Sequence, residues 1–175
     1  MCSLFNLAAF QSQVAGAQNI DNDEGLKLAA KLLQQAAAIF SYMKGAVMAA
    51  LQQDPTPDMS PDTLAALSAL MVAEAQEMFV LKAVNDRMKD AIVAKLASQC
   101  DEYYTEAYKA MKRDPIQSMW DREWLSTVSS KQASYQAMSQ YFQSRVCNAK
   151  KAVGEEIARL QVCSLFTYGF KYRLL

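Results

Sequence analysis

Apolar residues recur at three- and four-residue steps along most of this chain, and no two-residue alternation is sustained. That spacing predicts an all-α protein. The clearest stretch runs from Ser60 to Met111, as two long helices joined at the polar Asn85-Asp86-Arg87. Ser60 caps the first and Pro61 fits its first turn, where a missing N–H costs nothing. Leu64, Leu67, Met71, Met78 and Leu81 mark its buried face, interrupted by Glu74. The second helix is expected to begin near Asp86, with Val93, Ala97, Cys100, Tyr104, Ala107, Tyr108 and Met111 as its buried stripe.

Three apolar residues here fall outside a simple two-helix core. Phe79 has Ala75, Gln76, Lys82 and Ala83 as one-turn neighbours, a small and polar setting. Ile92 and Leu96 lie one turn apart on the shoulder of the second stripe, bordered by Lys89, Lys95 and Gln99. An apolar pair rimmed by lysines suits a groove that receives another helix. Shoulder residues of this kind also pack against a third helix of the same chain, and spacing does not separate the two.

The remaining segments follow the same rule. Leu4, Leu7, Ala8 and Val14 give helical spacing from the first residues, with no cap before them, as expected of a fragment that begins inside a helix. Asp21 with Glu24 forms a capping box for a helix from Asp23 to Gln53. Its apolar positions include Leu28, Leu32, Ala36, Ile39, Phe40, Met43, Val47 and Leu51. Gly45 weakens it slightly or permits close packing, and Lys27 and Lys31 lie on a solvated face. Asp54 to Met59 reads as a turn. Asp114 and Pro115 start a further helix that extends to Lys151, with Trp120, Trp124, Val128, Tyr135, Met138, Phe142 and Val146 on its core side. A last helix opens at Gly154, supported by a Glu155–Arg159 pair. From Val162 to Leu175 the pattern changes, and Gly169 weighs against a simple continuation. Long helices with short turns predict antiparallel hairpins stacked as a TPR-like solenoid, without a strict sequence repeat.

Composition narrows the chemistry. The 175 residues fit one domain or part of one, with 18 basic and 18 acidic side chains. Zero net charge argues against nucleic acid. The chain has no histidine, which removes histidine triads and histidine zinc sites together. Cys2, Cys100, Cys147 and Cys163 make no C-x-x-C pair and read as reduced, small core residues of a cytoplasmic protein. Asp21 to Gly25 resembles a calcium loop only in part: the glycine comes one position early and Leu32 replaces the closing glutamate. Glu74, Glu77, Asp86 and Asp90 lack any accompanying nucleophile, metal ligand or phosphate loop. No enzyme and no cofactor is expected. No apolar run approaches the roughly 18 residues of a membrane span.

Several stretches resemble the Bro-type domain of the ESCRT-associated adaptors. They are Leu4-Phe5-Asn6-Leu7-Ala8-Ala9, Asn22-Asp23-Glu24-Gly25-Leu26-Lys27, Ser60-Pro61-Asp62-Thr63, Met88-Lys89-Asp90-Ala91-Ile92-Val93-Ala94-Lys95-Leu96-Ala97 and Gly154 to Gln161. They look closer to the adaptor branch than to the phosphatase branch. The resemblance covers residues 1–161 as a partial domain and leaves 162–175 as a divergent tail. It implies a curved helical body that binds the C-terminal amphipathic helix of an ESCRT-III subunit, charged multivesicular body protein four. Such a module serves endosomal sorting, budding and abscission. It also places the family's apolar contacts on Phe79, Ile92 and Leu96, with Asp23 and Lys27 as polar positions near the same surface. A cytoplasmic protein recruited to endosomes follows, with peripheral association to the membrane left open. A truncated, non-functional product and a generic helical scaffold are the competing expectations.

Overall fold

The computed structural model describes residues 1–50 and 56–171. Among the described residues the chain is all-α and contains no strand. Its helices are α1 (Cys2–Gly16), α2 (Asp23–Ala50), α3 (Pro61–Asn85), α4 (Asp90–Met111), α5 (Arg122–Ala149) and α6 (Val153–Lys171). Short 3-10 turns at Pro57–Met59 and Ile116–Met119 precede α3 and α5.

Each helix packs chiefly on the one before it and the one after it. Cross-contacts show that successive helices are antiparallel. The Phe5 ring meets Phe40 while Gln11 reaches back to Gln35. Ser68 bonds the Ala37 carbonyl while Lys82 bonds Asp23. Ser139 reaches Ala94 while Gln132 reaches Asp101. In each pair one residue number rises as the other falls. The result is the expected stack of hairpins.

The helix ends explain several boundaries. Ser60 Oγ accepts from the Thr63 N–H at 3.1 Å, with Pro61 in the first turn, as its sequence predicts. The buried Thr63 hydroxyl donates to the Pro57 carbonyl at 2.7 Å and ties the turn to the helix. At the other end of α3 the expected start of the next helix at Asp86 is corrected to Asp90. Arg87 takes a left-handed conformation, φ 51°. Met88 N–H bonds the Ala83 carbonyl and Arg87 N–H the Val84 carbonyl, both at 3.0 Å. This double bond pattern closes a helix, so the chain needs two further residues before Lys89 can open α4. Lys151, φ 59°, ends α5 in the same way.

Other expectations are corrected. The cap of α2 is Asn22, whose Oδ1 accepts from the Gly25 N–H at 2.6 Å, not Asp21. A Cβ on Gly25 would lie 1.9 Å from the Asn19 carbonyl oxygen, so this glycine lets the loop pass tightly across the helix start. In α2 the buried line contains Leu26, Ala29, Leu33, Ala36, Phe40 and Met43, whereas Leu28 is exposed. Among the described residues nothing lies within 4 Å of a Cβ built on Gly45, so close approach is not its role there. Asp114 and Pro115 do not start α5. Their segment runs into the Ile116 turn, which buries Ile116, and Asp121 then caps α5 through the Glu123 N–H. Trp124 is half exposed rather than core, although Val128 and Tyr135 on the same helix are buried. Arg159 donates to Gln140 at 3.0 Å instead of pairing with Glu155, which takes the Cys147 thiol. Cys100 and Cys147 are buried as expected, but Cys2 is exposed and Cys163 only half-buried. α6 continues through the change of pattern to Lys171; Tyr172 to Leu175, like Leu51 to Pro55, lie outside the described residues.

α3 is the central rod. It lies between α2 and α4 and buries Leu64, Leu70, Met71, Ala73, Val80 and Ala83. It is also long and apolar enough, by length and composition alone, to cross a membrane. Scattered polar residues hid this from a count of uninterrupted apolar runs. Its side chains pack into the core shared with Phe40, Met43, Cys100, Tyr104 and Met111.

Candidate protein-docking surface

The α3–α4 hairpin carries the three apolar residues singled out by spacing. Gln76 Nε2 donates to the Leu96 carbonyl at 3.2 Å, and Cys100 Sγ lies 3.9 Å from the Ala73 carbonyl. This antiparallel register brings Phe79 to the level of Ile92 and Val93. Val93 points inward and is buried, so Ile92 is turned outward at the same level. Phe79 is 40% exposed and Ile92 43% exposed. Leu96, one turn along, is half-buried and packs against the core. The hairpin therefore presents two open apolar side chains and the edge of a third. Lys89 and Lys95 beside them are exposed, and Gln99 is half-buried.

Phe79 also borders a groove of about 410 Å³ between α2 and α3. Gln34, Ala38 and Ser41 line it from α2, and Val72 and Gln76 from α3. These residues extend the apolar patch with polar groups that can hydrogen-bond a partner.

Asp23 and Lys27 stand at the start of α2, against the end of α3. Lys27 Nζ lies 2.5 Å from Asp23 Oδ2, and Lys82 donates to Asp23 Oδ1. Lys82 also pairs with Asp86 at 2.9 Å. Hydrogen bonds from Lys27 and then Lys82 hold the Asp23 carboxyl below the usual carboxylate range. Asp23 in turn raises both lysines. Lys82 is one turn beyond Phe79, so the network borders the apolar patch. Its role as the link between α2 and α3 was not legible in the sequence. Its i,i+4 spacing to Asp86 is the only local sign, and its partner Asp23 is 59 residues away.

Of the four carboxylates considered for acid–base work, Glu74 lies near Glu77 and the other three are held by cations. Lys131 holds Glu77 at 2.8 Å, Lys82 holds Asp86, and Arg145 holds Asp90 at 3.2 Å. Tyr104 also donates to Glu77 and stacks on Tyr135 with 5.9 Å between centroids. Burial pushes the Tyr104 hydroxyl far above its ordinary range. It stays protonated as a structural donor.

The BRO1-like domain model matches residues 1–168. The chain is 44% identical over 170 residues to apoptosis-linked gene 2-interacting protein X 1 of Caenorhabditis elegans, covering 97% of this chain and 19% of that protein. It is 48% identical over 161 residues to programmed cell death 6-interacting protein of Homo sapiens, covering 91% and 18%. The solved ALIX BRO1 structure in complex with CHMP4C superposes with a TM-score of 0.93 at 45% identity, covering 98% of this chain and 47% of that one. The chain thus spans less than a fifth of the length of these two curated relatives.

Proposed function

This chain belongs to the BRO1-like domain family, and on that premise we propose that it is a non-catalytic docking module for an ESCRT-III subunit. The partner is the C-terminal amphipathic helix of charged multivesicular body protein four. Its apolar stripe lies over Phe79, Ile92 and Leu96, and its polar flank meets Asp23 and Lys27. In the cell, the module acts in the cytoplasm and is recruited to endosomes during sorting, budding and abscission. The observation that carries this reading is the exposure of Phe79 and Ile92 at one level of an ordered hairpin.

Energetics favour a modest affinity. Full burial of a large apolar side chain contributes roughly 1.5–3 kcal/mol. Phe79 and Ile92 each have about two-fifths of their surface left to cover, and Leu96 has less. The partner's side chains contribute on their own account, while association itself costs about 4–15 kcal/mol. These opposing terms leave little surplus, so weak rather than tight binding is expected. A polymerising partner raises the apparent affinity by avidity.

The test is calorimetry of the 175-residue chain with the C-terminal helix of charged multivesicular body protein four. Saturable one-to-one binding is expected. Ile92→Asp places a carboxylate against an apolar stripe without a partner and abolishes it, with helicity unchanged. Unaltered affinity in this variant would sink the site assignment.

A further inference from the structure

On the far side of α3 from Phe79 lies a second opening, of about 760 Å³. At 3.6 residues per turn, Leu67, Leu70, Met71 and Glu74 project roughly opposite to Val72, Gln76 and Phe79. These four form its floor, with Phe5 of α1 on one wall and Trp124 of α5 on the other. α1 packs on α2 and α5 packs on α4, and the two make no extensive contact with each other. They leave a slot with room for about one to two turns of a helix.

Acidic side chains outnumber basic ones in the lining of the slot. Glu74 and Glu123 line it, and Glu77 stands behind Lys131. Lys131 is the cation that lines it, and that ammonium is already committed to Glu77 and sits 5.8 Å over the Tyr104 ring. Among the described residues, no donor reaches the Glu74 carboxyl. A half-buried carboxyl in an apolar floor, with no such donor, is a point where a cation brought by a partner can pair.

We propose that the slot between α1 and α5 is a second docking site, which takes an amphipathic helix carrying one lysine or arginine on its apolar face. The apolar side chains of that helix cover Leu67, Met71 and Trp124, and its cation meets Glu74. An acidic helix of the same shape is disfavoured, because Glu74 and Glu123 line the slot and the Lys131 ammonium is already held by Glu77. Burial pushes the Glu74 carboxyl above its ordinary range, against the pull of Lys131 and with the help of Glu77. This is the electrostatic state that an added cation reverses.

The probe is a synthetic amphipathic helix of about 16 residues, made of leucine, alanine and glutamine, with one lysine in its apolar stripe. The comparator carries glutamate at that position. Binding to the 175-residue chain is followed by calorimetry and by the fluorescence of Trp124 and its stacked neighbour Trp120. The lysine probe is expected to bind about tenfold more tightly than the glutamate probe. Glu74→Gln, which keeps shape and helicity, erases that ratio. Phe79→Asp leaves it intact, which separates this slot from the hairpin surface. Equal binding of the two probes, no binding, or loss of binding in Phe79→Asp would each overturn the proposal. So would a dimer that excludes the probe and dissociates on Trp124→Ser, because the occupant would then be a second copy.

Discussion

Gln76 Nε2 and the Leu96 carbonyl oxygen lie 3.2 Å apart across the α3–α4 hairpin. A helix carbonyl inside α4 therefore accepts a bond from a side chain of α3. That bond sets the relative height of the two helices where the apolar patch forms. Gln76→Met keeps the side chain's length and removes the donor. Stability is expected to fall by about 0.5–1.5 kcal/mol in denaturant titration. Affinity for the proposed ESCRT-III helix is expected to fall with it in calorimetry.

Leu96 and Ile92 are expected to separate when each is cut to alanine. Leu96 is half-buried and packs on the core, so Leu96→Ala costs stability of about 1–3 kcal/mol as well as affinity. Ile92 is an exposed side chain, so Ile92→Ala changes stability by no more than about 0.5 kcal/mol and acts on affinity alone. Thermal melts and calorimetry on the same two variants check both halves.

Arg87 closes α3 in a left-handed conformation that suits glycine better. Arg87→Gly is expected to stabilise the chain by about 0.5–1 kcal/mol, measured as a shift in the denaturant midpoint at constant slope. No gain would show that the Arg87 side chain repays the backbone cost through contacts of its own.

Asp23 offers a prediction in pH. Its folded pKa is depressed, so the stability that it contributes is present above the ordinary carboxylate pKa and is lost as pH falls through the depressed value. Lys82→Met removes one of its two lysine partners and moves the Asp23 pKa upward, toward the unperturbed carboxylate range. The acid limb of the stability curve then shifts to higher pH. Carboxyl NMR titration of the two proteins reads the shift directly.

The helical class and the hairpin order were legible because the apolar spacing is regular and the turns are short. The outward position of Phe79 and Ile92 was legible too, since each lies off a stripe that its own helix defines. Leu28 was misplaced for a physical reason. α2 packs on both α1 and α3, and alanines at 29, 30, 36 and 37 make its buried arc broad. Leucine spacing alone then picks the wrong edge of that arc. Asp21 and Asn22 are adjacent residues of similar capping power, and only the backbone path across Gly25 selects Asn22. The Asp23–Lys82 link could not be read locally, because it joins two helix ends that meet only after folding.

α3 is apolar around much of its circumference because it is the middle rod of a stack. A chain being synthesised presents such a rod as a greasy cylinder with no preferred side. The helix that shields one flank, α2, precedes it in the chain and has already emerged. The helix that shields the other, α4, follows after a four-residue joint. The order of synthesis is thus also the order of sheltering. Moving α2 behind α4 by circular permutation would leave the same folded contacts available, yet expose the rod to aggregation or to misdirection into a bilayer while it waits for cover.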